Sequence, residues 1–295
     1  MKLILSALFL CISTLVFGQQ QVTTGNSSTI SAIISQYGDS FKSLGGSVLS
    51  GKVNVYIVFY GNWTQLATEQ SVFMEFIDTI SDTPWFATLK QYNSNSKEVT
   101  GPLHLSAAVN DIGSIGLNLT TNDQHKEIIT GAIKSGYLSA TNTINDDGIY
   151  IVMGGPDVQD SQFCNTHCGY NSFGDNFQYI FMGYPGNCAD KCIPSVNLNS
   201  SPNNSPSIDA AITILSHEIQ DILTDPRNDA WKVQTDNQTL ELGDFCSSEG
   251  TSQEQFGNVT QGTSGSYNLE VGDYKYLVQT IFDLSSKTCI LGVKQ

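Results

Sequence analysis

The sequence predicts one mixed-sheet α/β (α+β) domain with a disulfide-stapled C-terminal region. Three observations lead there. Short β-branched and aromatic runs alternate with amphipathic helical stretches in the order β-α-β-α-β-β-α, the pattern of helices layered on a mixed sheet. No internal repeat and no clean linker divides the chain, and 295 residues at 40% hydrophobic content suffice for one large core. Six of the seven cysteines lie beyond residue 160, so covalent staples gather in the C-terminal half.

The elements follow in order. Ser28 to Tyr37 carries Ile30, Ile33 and Ile34 at helical spacing. Val53 to Tyr60 (VNVYIVFY) is too continuously apolar for a half-exposed strand and reads as a buried one, ended by Gly61. Ala67 to Ile80 is a helix whose Val72, Phe73, Phe76, Ile77 and Ile80 share a face. A helical turn starts at Pro84 and runs through Leu89, and Leu103 to Val109 alternates as a strand. Asp123 to Lys134 is a helix (Ile128, Ile129, Ala132, Ile133) closed by Gly136. Gly148 to Met153 and Phe177 to Met182 are strands, the first ended by Gly154-Gly155-Pro156. Pro202 to Pro206 is a turn-rich break before a long helix, Pro206 to Leu223. A Gly/Ser-rich loop spans Ser247 to Ser266, and Tyr274 to Phe282 reads as a last strand.

The chain begins Met1-Lys2, then runs apolar from Leu3 to Phe17, with small residues Val16 and Gly18 at the −3 and −1 positions. That is a secretory leader cut after Gly18; the apolar run falls short of the ~20 residues a membrane span needs. Residues 1–18 are thus a signal peptide, 19–29 a loose tail and 30–295 the domain. No later segment is long and apolar enough to span. Charged residues are 14% of the chain, against about 25% in average domains, and neutral polar residues take their place. With 13 Lys+Arg against 28 Asp+Glu, net −15, nucleic-acid binding is excluded, because phosphates need basic partners. Asn-x-Ser/Thr sequons stand at Asn26, Asn62, Asn118, Asn199, Asn203, Asn237 and Asn258, so the mature protein is expected to be glycosylated.

Cys11 leaves with the leader. Cys164, Cys168, Cys188, Cys192, Cys246 and Cys289 remain, an even set that implies up to three disulfides in an oxidising compartment, the pairing left open. Four of them form two C-x3-C motifs. A four-cysteine zinc site is the rival, disfavoured by the compartment and the three-residue spacer.

One constellation carries chemistry. Ser205 can cap the helix from Pro206, whose main stripe is Ile208, Ala211, Ile212, Leu215, Ile219 and Ile222. His217 and Asp221 lie four apart, one turn above the other, with Glu218 beside them. This H-E-x-x-D is one residue from the H-E-x-x-H of zinc peptidases, in which two His hold the metal and Glu activates water. Aspartate is a legitimate ligand, and it shifts preference toward harder metals. Glu241 and Asp244 are the local candidates for a completing ligand, in a loop that Cys246 would hold rigid. The alternative is an internal salt-bridge and cap network, with Asp225-Pro226 closing the helix. His104 and His125 stand isolated, and His167 sits in the Cys164–Cys168 turn. No G-x-S-x-G elbow or phosphate loop is present, Gly113-Ser114-Ile115-Gly116 fitting neither. A pair of glycosidase carboxylates is spatial and stays open.

Taken together, several segments resemble the EXORDIUM / phosphate-induced protein family. They are Val55 to Trp63, Phe163-Cys164 with Cys168-Gly169-Tyr170, and Tyr179 to Gly183, followed by Ser216-His217-Glu218 through Thr224-Asp225-Pro226, Ala230-Trp231, and Glu241 to Cys246. The ordered set spans nearly the whole mature chain. The resemblance implies an extracellular or cell-wall protein associated with growth, with a zincin-like helix in a zincin-like domain. The family shows H-E-x-x-E where this chain ends in Asp221, and a His after Cys-Gly-Tyr where this chain has Asn171.

The expectation is a secreted protein whose partners are extracellular-matrix or cell-surface components, with a degenerate zinc-peptidase-like helix. One alternative is an active metal-dependent hydrolase: His217 and Asp221 hold zinc or another divalent ion, Glu241 or Asp244 completes the set, and Glu218 is the general base. The other is a carbohydrate-binding protein that uses Trp63, Trp85 and Trp231 as exposed platforms.

Overall fold

A computed structural model describes residues 30–236, 238–247 and 255–292. The leader, the tail and the Asn26 and Asn237 sequons lie outside the described residues. Helix α1 (Ile30–Tyr37) precedes a core built from strand β1 (Val53–Tyr60), helices α2 (Ala67–Thr79) and α3 (Pro84–Leu89), strand β2 (Leu103–Asp111), helix α4 (Asn122–Lys134), strands β3 (Ile149–Gly154), β4 (Gly169–Phe173) and β5 (Gln178–Met182), a short helix α5 (Ala189–Cys192) and the long helix α6 (Pro206–Thr224). The five strands form one sheet in the order β2-β1-β3-β5-β4. β2, β1, β3 and β5 run parallel, and β4 closes the edge antiparallel to β5, with Ile180 opposite Asn171 and Phe181 opposite Tyr170.

The continuous hydrophobicity of β1 now has its cause: both faces of the sheet are covered. Val55, Ile57 and Phe59 point toward a core shared with α2, α3 and α6. Val58 and Tyr60 point the other way, into a core with Ile128, Ile129 and Ile133 of α4. Thr121 and Gln124 cap α4 reciprocally, a capping box that fixes where the helix begins. Because side chains alternate along a strand, β4 sends Tyr170 into the α4 core and Asn171 toward α6. Among the described residues no helix is long and apolar enough to cross a membrane.

Two expectations change. The strand predicted over Tyr274–Phe282 is two short strands in different ladders: Tyr274–Tyr276 pairs with Leu269–Val271, and Ile281–Asp283 pairs with Thr288–Ile290. The backbone between them turns to α6 and to side chains instead. Gln279 N donates to Ser216 Oγ (3.0 Å), Val278 N to Asn268 Oδ1 (2.9 Å), and Leu277 O accepts from Thr213 Oγ1 (2.6 Å). Strand β4 was not foreseen, because Gly-Tyr-Asn-Ser-Phe is short, polar and has no apolar alternation. Of the cysteines, Cys168–Cys192 and Cys246–Cys289 are joined as disulfides, while no bond joins Cys164 and Cys188 in this structure. The Cys168–Cys192 bond removes the four-cysteine zinc reading, since a disulfide sulfur is no thiolate ligand.

Candidate metal centre

Helix α6 is buried along almost its entire length, from Ile208 to Thr224. Ser205 caps it by accepting from Ile208 N, and Pro206 fills the first turn where no N–H is needed. A helix this buried must satisfy its polar side chains internally. Ser216, Gln220 and Thr224 donate to backbone carbonyls of the preceding turn, and Thr213 and Gln220 also reach Leu277 O and Thr280 O, leaving Gln220 Oε1 without a partner among the described residues. His217, Glu218 and Asp221 are left on the side that meets β4 and the turn Gly243–Cys246.

The donor atoms of these three side chains lie within 4.8 Å of one another. His217 Nε2 is 3.3 Å from Asp221 Oδ2 and 3.9 Å from Asp244 Oδ1. Its other nitrogen, Nδ1, lies 3.2 Å from Gln279 Oε1, while Gln279 Nε2 donates to Gly243 O at 2.6 Å. That anchored amide presents its oxygen to the ring, so Nδ1 donates and Nε2 is the atom turned toward the carboxylates. Gly243 N donates to Asp221 Oδ1, leaving Oδ2 buried with no hydrogen-bond partner. A Cβ on Gly243 would stand 2.9 Å from His217 Nδ1 and 3.0 Å from Asp221 Oδ1, so only glycine lets this turn approach the helix. Glu241 N donates to Asp244 Oδ2 (2.9 Å), which orients the second carboxylate from the same turn. From the opposite side Asn171 Nδ2 reaches Glu218 Oε2 at 3.5 Å and also bonds Glu241.

The five residues predicted from the sequence therefore converge, although only His217, Glu218 and Asp221 share one tight donor set. Glu218, Asp221 and Glu241 are buried and the Asp244 side chain is 13% exposed. None of the ion pairs made by Lys or Arg among the described residues involves them. Burial consequently dominates their acidity. It pushes the Glu218 carboxyl up to about 7, with His217 pulling down and Asp244 pushing up; Asp221, Glu241 and Asp244 are raised as well, burial first in each case. Sequence reasoning missed Gln279, which sets the His217 tautomer, and placed Asn171 only by resemblance. A glutamine inside the apolar run Leu277-Val278-Gln279 was the available signal, since a buried amide needs partners.

The remaining histidines lie outside this cluster, and His167 is buried with no hydrogen-bond partner on either ring nitrogen among the described residues. His104 is half-exposed near Asp78. His125 is buried, with Nδ1 2.6 Å from Tyr170 Oη and Nε2 3.3 Å from Asp160. His167 is buried against Tyr170. The carbohydrate platforms do not exist: Trp63, Trp85 and Trp231 are 3%, 0% and 8% exposed, and each indole N–H is spent on a backbone carbonyl, of Tyr60, Gln279 and Asn93. Large aromatic surface went into the core rather than onto a binding face. The sequon residues Asn62, Asn118, Asn199 and Asn258 are exposed, whereas Asn203 is half-buried.

Compared with known proteins, the chain matches the "Phosphate-induced protein 1 conserved region" over residues 41–291. It is 27% identical to Protein EXORDIUM-like 3 of Arabidopsis thaliana over 271 residues, covering 80% of this chain and 78% of that protein. It is 25% identical to Protein EXORDIUM-like 5 of the same plant, over 83% of this chain and 75% of that protein. The identity to Protein PHOSPHATE-INDUCED 1 of Nicotiana tabacum is also 25%, covering 83% and 85% of the two chains. No solved structure matches. With a match that covers most of its length, the chain belongs to the phosphate-induced protein 1 family.

Proposed function

We propose that this is a secreted, glycosylated member of its family, acting at the cell surface or extracellular matrix in a growth-associated setting. In this reading its zincin-like helix binds one divalent cation. His217 Nε2, Asp221 Oδ2 and Asp244 Oδ1 would hold it, with Glu218 and Glu241 adjoining. The observation that carries the reading is the orphaned, buried Asp221 Oδ2 facing His217 Nε2 among carboxylates without a Lys or Arg partner. Buried charge of one sign is tolerated only if it is protonated or compensated, and a dication compensates it. The donor set of one imidazole nitrogen and carboxylate oxygens fits zinc or a harder divalent ion. Such an ion would supply positive charge and Lewis acidity at this spot. His217, Glu218 and Asp221 are at most 2% exposed, which favours a cation that holds the turn 241–246 against α6.

Metal-dependent hydrolysis stands as a second reading, favoured by one observation: Glu218 adjoins the cluster, placed where a carboxylate beside a bound cation could take and return a proton. The test is elemental analysis of the purified protein after dialysis, with His217→Ala alongside. Wild type is expected to retain about one equivalent of divalent metal per chain and H217A none, because one of a few ligands is gone. A wild type that takes up no metal from zinc, manganese or calcium overturns the proposal. Glu218→Gln then separates the readings: peptide or ester hydrolysis that is present in wild type and lost in a metal-loaded E218Q selects the second.

A further inference from the structure

The two C-x3-C motifs meet in the fold. Cys164 and Cys168 belong to a tight turn: Phe163 bridges His167, Cys164 N donates to His167 O (3.1 Å), and Thr166 N donates to Gln162 O (2.8 Å). Cys188 and Cys192 flank and end the single helical turn α5, four residues apart and hence on one side of it. The Cys168–Cys192 disulfide joins turn and helix with a Cα–Cα distance of 5.5 Å over a separation of 24 residues. Cys164 and Cys188 repeat that separation one step earlier along both motifs. They are neighbours: Cys164 packs against the core cluster that holds Cys188, its sulfur lies 4.0 Å from Asn187 O, and Lys191 Nζ donates to Cys164 O at 2.7 Å. Both segments are thus held together by contacts besides the existing bond.

We propose that Cys164 and Cys188 form a third disulfide, a second rung beside Cys168–Cys192. The rung would join the same two segments that Cys168–Cys192 already brings within bonding distance, where cysteines far apart could not pair. Its chemistry is thiol–disulfide exchange with a protein disulfide of the secretory oxidoreductase class. One chain thiolate attacks the oxidant's S–S bond and gives a mixed disulfide. The second chain thiolate then displaces the oxidant. Two S–H bonds of this chain become one S–S bond, and the oxidant's S–S becomes two thiols, which receive the two protons and two electrons. In the finished protein all six cysteines are then paired, and the turn that leads into β4 is tied to α5 at both ends. The rung is independent of whether the centre on α6 holds metal.

The experiment is a disulfide map of the full chain secreted from an oxidising expression host. The protein is acid-quenched, denatured, alkylated without reductant and digested with trypsin plus chymotrypsin; cleavage after Lys191 separates Cys188 from Cys192. Expected are no alkylation at Cys164 or Cys188 and a three-peptide cluster joining the 164–168 segment to both. The variant Cys168→Ser/Cys192→Ser resolves the connectivity by leaving a single link, 164 to 188. In Cys164→Ser, Cys188 becomes the one alkylated cysteine. Full alkylation of Cys164 and Cys188 in a wild type whose Cys168–Cys192 bond is intact overturns the proposal. So does a Cys164 link to a second chain.

Discussion

In metal-free buffer, Glu218→Gln is expected to make this protein more stable at neutral pH. Glu218 is buried beside Asn171, Asp244 and His217, and burial lifts its carboxyl from 4.5 to about 7. A folded-state value above the unfolded one means that the protonated form is favoured by folding. That contribution is complete below pH 4.5 and is lost as the pH climbs to about 7. At about 1.4 kcal/mol per pH step, the gap amounts to about 3 kcal/mol, undiscounted because the group is out of solvent. Glutamine copies the shape of the protonated acid and cannot ionise. Wild type and E218Q should therefore melt together near pH 4.5 and separate by about 3 kcal/mol at pH 7.5, with E218Q higher. For a chain of this size that is roughly 6–12 °C. The difference between the two proteins is the observable to use, because His167 titrates in the opposite sense over much of the same range and cancels in the difference. Thermal melts with chelator at four values from pH 4.5 to 7.5 measure it. Saturating divalent cation should narrow the gap, since a dication beside Glu218 offsets the burial of its charge. If the two melting curves stay parallel across the window, or E218Q is the less stable at pH 7.5 with chelator, the account of the site as uncompensated buried charge is wrong.

Two further outcomes can be checked. Burial lowers the His167 imidazole from 6.5 to about 4, so the neutral ring is favoured by folding; its contribution is complete above pH 6.5 and lost as the pH falls to about 4. His167→Phe, which keeps the ring against Tyr170, should flatten that acid loss by about 3 kcal/mol in urea titrations at pH 4 and pH 6.5, and an unchanged slope refutes it. Peptide mapping after enzymatic deglycosylation should find glycans at exposed Asn62, Asn118, Asn199 or Asn258 and none at Asn203, whose amide hydrogens already serve Asp209 Oδ1 (2.6 Å) and Lys275 O (2.7 Å).

The longer helices and the parallel strands were readable because each bears a strong local period; the four-residue α5 is too short to bear one and was not read. VNVYIVFY cannot be anything but a strand buried on both sides once Gly61 stops it, and the α2 and α4 stripes face the cores their spacing implied. What could not be read was set by neighbours. Strand β4 owes its existence to β5, which pairs with it over five residues, rather than to its own polar sequence. The segment Tyr274–Thr280 has strand composition, yet its middle gives its hydrogen bonds to Ser216, Asn268 and Gln255, because α6 lies against it where a partner strand would have to be. The three tryptophans misled for a related reason: composition says how much aromatic surface there is, and only the packing says that these three are inside while Tyr137 is out.

The site divides along the same line. Three of its residues sit within one helical turn, so His217, Glu218 and Asp221 were legible as a group, and Glu241 and Asp244 were the nearby carboxylates in a loop that Cys246 would hold rigid. Their electrostatic condition was not legible, since it depends on what is absent around them as much as on what is present. The net charge of −15 describes the whole chain; the cluster concentrates four carboxylates from two segments at one buried point. Mutual repulsion should drive the 241–246 turn away from α6. The groups that oppose it are not ionic: Gly243 N on Asp221, Gln279 bridging His217 and Gly243, Phe245 stacked on Phe282, and the Cys246–Cys289 bond. A closed loop spanning 43 residues contributes about 4 kcal/mol by chain entropy, which is comparable to the burial penalty of one such carboxylate. The turn can thus stay against the helix before any cation arrives. If the proposed cation binds there, a turn already in place raises its affinity, because binding need not also order the donor groups.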